Sequence, residues 1–155
     1  MTLVALNSAE RFSGLFASGT ARGWGFHYLA NDAERLADEL ITRAVETTGN
    51  PDPHLSYIGL LKPPPLIGIR ISLKNGGLLI EVWDSDPTSP LPAEGSYLDD
   101  HLTAVQERAQ RWNWYRPDGG GKIIWAELAP RQPQRPAPLS HRAAGRFHFL
   151  EPDER

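Results

Sequence analysis

Asn75-Gly76 lies between two apolar runs, Leu66 to Leu73 and Leu78 to Trp83, and this arrangement limits what the chain can fold into more than any other feature. Asparagine and glycine tolerate the positive φ angles of a two-residue hairpin turn. Before the turn, Ile67, Ile69, Ile71 and Leu73 alternate with smaller or polar residues, as in a strand with one buried face. After it, Leu78, Ile80 and Val82 form the inward set of a second strand. A hairpin with one apolar face needs a second layer to cover it.

Helices can supply that layer. From Asn31 to Thr48 the residues Ala33, Leu36, Ala37, Leu40, Ile41, Ala44 and Val45 recur at spacings of three and four, which makes one apolar helical stripe. Asn31 can cap its first turn with Glu34 three residues on, and Gly49 followed by Pro51 supplies a stop. Residues Gly49 to Pro65 hold five of the fourteen prolines and read as a long connection. Leu98, Leu102, Val105, Ala109 and Trp112 predict a second helix over about Tyr97 to Trp112. Asn113 to Arg116, the turn Pro117 to Gly121, and Lys122 to Leu128 predict a further hairpin, with Ile124 and Ala126 facing opposite to Ile123 and Trp125. In the first thirty residues Gly14, Gly19, Gly23 and Gly25 interrupt any long pattern. Only a short helix ending near Phe12, Leu15 and Phe16 is expected there, with Trp24, Phe26 and Leu29 leading the chain into the core. The fold expected is α+β, a two-layer α/β sandwich with helices on one face of a mixed, mainly antiparallel sheet.

The 155 residues, 40% of them hydrophobic, suffice for one domain over residues 1–128, followed by a Pro/Arg-rich C-terminal tail over residues 129–155. Sixteen basic against nineteen acidic side chains leave a net charge of −3, which argues against a surface built to hold nucleic acid or anionic lipid. The absence of cysteine removes disulfides, thiolate metal sites and a thiol nucleophile, and suits a cytoplasmic setting. No run of eighteen apolar residues and no export signal is apparent, so a soluble protein that is not exported is expected. The five histidines have no ligand spacing, and no transition-metal site is expected. Gly119-Gly120-Gly121-Lys122 lacks the Walker spacing and reads as a hairpin loop. Between Pro130 and Leu150 stand Arg131, Arg135, Arg142 and Arg146 with no acidic residue, so the tail reads as a solvated arm, or as a docking arm anchored by Phe147-His148-Phe149-Leu150.

Two carboxylates carry the candidate chemistry. Glu39 shares a helix face with Arg43, and Asp84 ends the second strand of the first hairpin. In the plain reading, Glu39 and Arg43 are a surface pair worth about 0.3 kcal/mol, and Asp84-Ser85-Asp86-Pro87 is a polar turn. In the sharper one, a carboxylate ending a buried strand accepts a hydrogen bond from an exocyclic amine such as that of adenine.

Glu39-Leu40-Ile41-Thr42 with Ala44-Val45, Leu79-Ile80-Glu81-Val82-Trp83-Asp84, and Arg111-Trp112 with Gly121-Lys122-Ile123-Ile124-Trp125-Ala126-Glu127-Leu128 together resemble the histidine-kinase-like ATPase (GHKL) family over about residues 20 to 128. Within it the chain is most similar to the anti-sigma regulatory factors of the serine-kinase type, especially the single-domain forms of actinobacteria. The resemblance implies ATP as ligand, Glu39 as catalytic general base, and Asp84 as the residue that reads adenine. Arg43 stands where the family has its magnesium-holding asparagine, and a guanidinium cannot ligate a cation, which weighs against magnesium. Arg43 could instead pair with Glu39 or lie against phosphate. The family's lid motif Gly-Arg-Gly-Leu falls on Asp99-Asp100-His101-Leu102, where only Leu102 of the nucleotide-binding segment matches. Two functions stay open. One is a regulatory ATP-binding protein resembling an anti-sigma-factor serine/threonine kinase, acting on a sigma factor or an anti-sigma-factor antagonist. The other is a nonenzymatic interaction module, a pseudokinase that has lost magnesium-ATP chemistry. Relatives often pair through their sheets, so the resemblance also leaves a homodimer open.

Overall fold

The computed structural model describes residues 1–5, 8–48 and 65–129. The expected connection over Gly49 to Pro65, apart from Pro65, and the C-terminal tail beyond Ala129 lie outside them. Five strands, β1 (Thr2–Val4), β2 (Leu66–Lys74), β3 (Gly77–Asp84), β4 (Arg111–Tyr115) and β5 (Lys122–Leu128), form one sheet in the order β1-β2-β3-β5-β4, antiparallel at each of its four pairings. Among the described residues three helices pack with it: α1 (Ser8–Gly23), α2 (Ala30–Thr48), entered through a 3₁₀ turn at His27–Leu29, and α3 (Asp100–Arg108). The molecule is thus an α+β, two-layer α/β sandwich. No helix among the described residues is long and apolar enough to cross a membrane.

The β2–β3 hairpin forms as the sequence expects, except that Leu73, expected on the buried face, is 59% exposed near the turn. Asn75 and Gly76 take φ values of 52° and 76°, and the register pairs Ile69 with Val82 and Ile71 with Ile80. The inward set Ile67, Ile69, Leu78, Ile80 and Val82 joins Ile124, Ala126 and Leu128 of β5 in one core with Ala33, Leu36, Ala37, Leu40, Ile41, Ala44 and Val45 of α2. Fully burying each aliphatic side chain of Leu, Ile or Val size here contributes about 1.5–3 kcal/mol, and a Leu40→Ala cavity in this core would cost about 2–5 kcal/mol.

Helix α1 runs for sixteen residues through Gly14 and Gly19, which were expected to break it, and ends at Gly23, with Gly25 beyond it at a φ of 84°. Its packing face is built from small residues, Ala9, Ser13, Ala17, Ser18 and Ala21, while Phe12 and Leu15 point to solvent at 60% and 57% exposure. Hydrophobic periodicity therefore points to the wrong face. Small residues let α1 lie close on α2, and a Cβ at Gly14 would meet the carboxylate end of the Asp38 side chain. Ser13 donates its hydroxyl to the Glu10 carbonyl at 2.6 Å, so its buried oxygen is satisfied within the helix. Of the three residues expected to enter the core beyond α1, Leu29 is buried and Phe26 packs against the core, but Trp24 is exposed.

The second predicted helix is shorter than its apolar pattern. Ala109 takes extended backbone angles (φ −77°, ψ 144°), and Arg111 starts strand β4. Trp112, assigned to a helical face by its spacing, pairs across the sheet with Ala126 and still packs against the core.

Candidate functional site

The α2–α3 seam collects most of the residues singled out from sequence. Asp99 is the N-cap of α3, and its two oxygens do different work. Oδ1 accepts the Leu102 backbone N–H at 2.8 Å, and Oδ2 accepts Arg43 Nε at 2.7 Å. Arg43, only 8% exposed, also approaches the Pro90 carbonyl at 3.4 Å with one Nη, while its other Nη has no hydrogen-bond partner among the described residues. Arg43 therefore pairs across the seam with Asp99. It does not form the i,i+4 pair with Glu39 that the helix spacing permits.

Glu39 is taken up one turn earlier on α2. Its Oε2 lies 2.8 Å from His101 Nδ1, and the other ring nitrogen lies 3.2 Å from Glu46 Oε2. Only the imidazolium, with a proton on each nitrogen, satisfies both carboxylates. Burial works against that charge, but the bonds to Glu39 and Glu46 outweigh it and raise the His101 pKa above its ordinary value. Leu102, expected to line a nucleotide, is a fully buried core residue.

Asp84 belongs to a different cluster. It ends β3 at the register position opposite Lys122 of β5, and both side chains are 1% exposed. Lys122 Nζ donates to Asp84 Oδ1 at 2.8 Å, to Asp86 Oδ2 at 2.7 Å and to the Asp86 carbonyl at 3.0 Å. Asp84 Oδ1 also accepts the Asp86 N–H. Burial dominates at Asp84 and raises its pKa in spite of Lys122. At Asp86 burial is outweighed by Lys122 and Thr88, which hold it down at about 2. The primary amine of Lys122 thus makes with Asp84 the kind of hydrogen bond that an exocyclic amine would make.

Three of the residues that define these clusters lie within the quoted motifs, but the roles the structure gives them were not expected. Lys122 was legible in part: the period-two pattern that turns Ile124 and Ala126 inward also turns Lys122 inward, opposite a strand-ending acid. Asp99 carries a cap signal, an acid three residues before an apolar helical position. His101 has no local signal, because its partners lie 62 and 55 residues away.

The donor set does not fit magnesium-bound nucleotide. Arg43 occupies the position of the expected metal ligand, a carboxylate caps the helix start where phosphate would have to approach, and Asp84, expected to meet adenine, is already bonded to the Lys122 amine. Among the described residues no group of three histidines or acids is placed to hold a metal ion. Compared with known proteins, the chain matches no family model and no curated sequence.

Proposed function

We propose that this chain is a cytoplasmic regulatory module on a histidine-kinase-like ATPase scaffold, resembling the anti-sigma serine kinases in its parts, which acts by binding a protein partner without magnesium-ATP chemistry. The observation that carries the reading is the Asp99 carboxylate. It fills the start of α3 from within, using one oxygen on the Leu102 N–H and the other on Arg43. Phosphate binding at a helix start needs free backbone N–H groups and no competing anion. Glu39 and Asp84 are engaged in the same way, by His101 and Lys122.

One observation favours a second reading, a nucleotide sensor. The Arg43 Nη without a partner among the described residues is a buried cationic donor of the kind a phosphate would take. Calorimetric titration with ATP and ADP, with and without magnesium, separates the two, with Asp84→Ala as control. The module reading expects no binding up to millimolar nucleotide. Micromolar binding that disappears in Asp84→Ala overturns it in favour of the sensor.

A further inference from the structure

The helices cover one face of the sheet, and the opposite face carries a second constellation. Outward from β2, β3, β5 and β4 point Arg70, Glu81, Trp83, Ile123, Trp125 and Tyr115, and a cavity of about 240 Å³ opens among most of them above Gly68. Gly68 stands opposite Trp83 in the register, so the missing side chain is what leaves this space beside the indole.

The charges on this face are layered. Glu81 and Glu127 have side chains only 8% and 7% exposed. Arg70 closes over Glu81 with two hydrogen bonds of 2.6 and 2.8 Å, and Arg111 over Glu127 at 2.6 Å, with Lys74 as a second ion-pair partner. The cations are the outer layer, at 69% exposure for Arg70, 59% for Arg111 and 42% for Lys74. Lys74 also lies 5.3 Å from the centre of the Trp125 ring. Three exposed cations over two covered carboxylates leave a net +1 on this face, with the cations outermost, on a chain of net charge −3.

We infer that this face binds an acidic protein segment carrying a bulky apolar or aromatic side chain, which enters the cavity beside Trp83 while its carboxylates meet Arg70, Lys74 and Arg111. The inference rests on the module reading and names its partner surface. Charge complementarity selects this occupant: a second copy would set the same cationic layer against itself, and the arginine-rich tail of this chain has the wrong sign. An apolar anchor buried in a pocket is also how interfaces concentrate their energy.

The probe is a random glutamate–tyrosine copolymer titrated into the full chain while tryptophan fluorescence is followed, without nucleotide. Binding is expected, weakening in about 0.5 M salt, and exceeding that of polyglutamate, which lacks the anchor. Gly68→Leu fills the cavity from a position where a Cβ meets only ordinary contact with Trp83, and should weaken binding at least about ten-fold. Tyr115→Glu, on an edge strand and 42% exposed, adds a repelling charge without touching the core and should do the same. Copolymer binding indifferent to both variants, or equal binding of lysine–tyrosine copolymer or single-stranded DNA, overturns the inference. So does a sedimenting dimer that Gly68→Leu dissolves, which would assign the face to a second copy. None of these outcomes depends on nucleotide, so this inference and the module reading fail separately.

Discussion

Arg43 and Asp99, 56 residues apart, meet at 2.7 Å and join α2 to the first turn of α3. The same carboxylate caps that helix, so one side chain does two jobs that mutation can separate. Asp99→Asn should keep the cap, since asparagine is as good an N-cap as aspartate, and lose the ion pair together with the hydrogen bond from Arg43, because the amide nitrogen cannot accept it, at a cost of about 1 kcal/mol because the acid is partly exposed. Asp99→Ala loses both and leaves a buried guanidinium with less company, at a cost of about 2 kcal/mol. Urea unfolding of the three proteins checks the order. Equal loss in both variants would mean that the cap contributes nothing.

His101 should make the α2–α3 seam sensitive to pH. Its folded pKa is raised by Glu39 and Glu46 against the opposing effect of burial. The imidazolium therefore adds stability that is fully present below the unfolded value of about 6.5 and is lost as pH rises through the folded value. Melting temperature should fall over that window in the native chain and lose this component in His101→Ala. Proton NMR of the imidazole should give a titration midpoint above that of a free histidine.

Asp38 should have the opposite mutational sign. Half-buried under Gly14 and near Glu10, Glu34 and Glu39, it has a pKa raised to about 6, chiefly by burial and then by those charges. Because the folded value exceeds the unfolded one, its contribution to stability is present below about pH 4 and is lost as pH rises through about 6. Asp38→Asn should therefore be more stable than the native chain at pH 7.5, by about 1 kcal/mol once solvent screening is allowed for. Its stability should also be flatter between pH 4 and 6. A destabilised Asp38→Asn at pH 7.5 would show that the charged carboxylate is needed.

The sheet was legible because side-chain period and turn chemistry agree in it. Asn75-Gly76 fixes the register, and the inward sets of β2, β3 and β5 follow from alternation alone. Helix α2 was legible for the same reason at period 3.6, although Asn31, expected to cap it, lies inside it, because the chain enters at Ala30 directly from a 3₁₀ turn. Helix α1 was hidden because its packing face is made of alanine, serine and glycine, whose burial leaves little trace in a hydrophobicity pattern. Trp112 misled because an inward-facing residue can satisfy a helical spacing and a strand alternation together. At the candidate site, Glu39, Arg43 and Asp84 were found from local motifs, but their partners His101, Asp99 and Lys122 are set by tertiary packing across 62, 56 and 38 residues.

Lys122 and Asp84 offer the sharpest energetic test, since both are 1% exposed and neither has water to fall back on. Breaking a buried pair by removing one member leaves an uncompensated charge, which costs about 3–5 kcal/mol. Lys122→Met should reach that range, because it strands Asp84 in the core and also strips Asp86 of its main counter-charge. Asp84→Asn combined with Lys122→Met removes both charges at the centre and should recover a large part of the loss, leaving Asp86 near solvent to stand alone. A double-mutant cycle by urea denaturation measures the recovery. Additive losses would show that the two charges act independently and that Lys122 is not what keeps Asp84 in place.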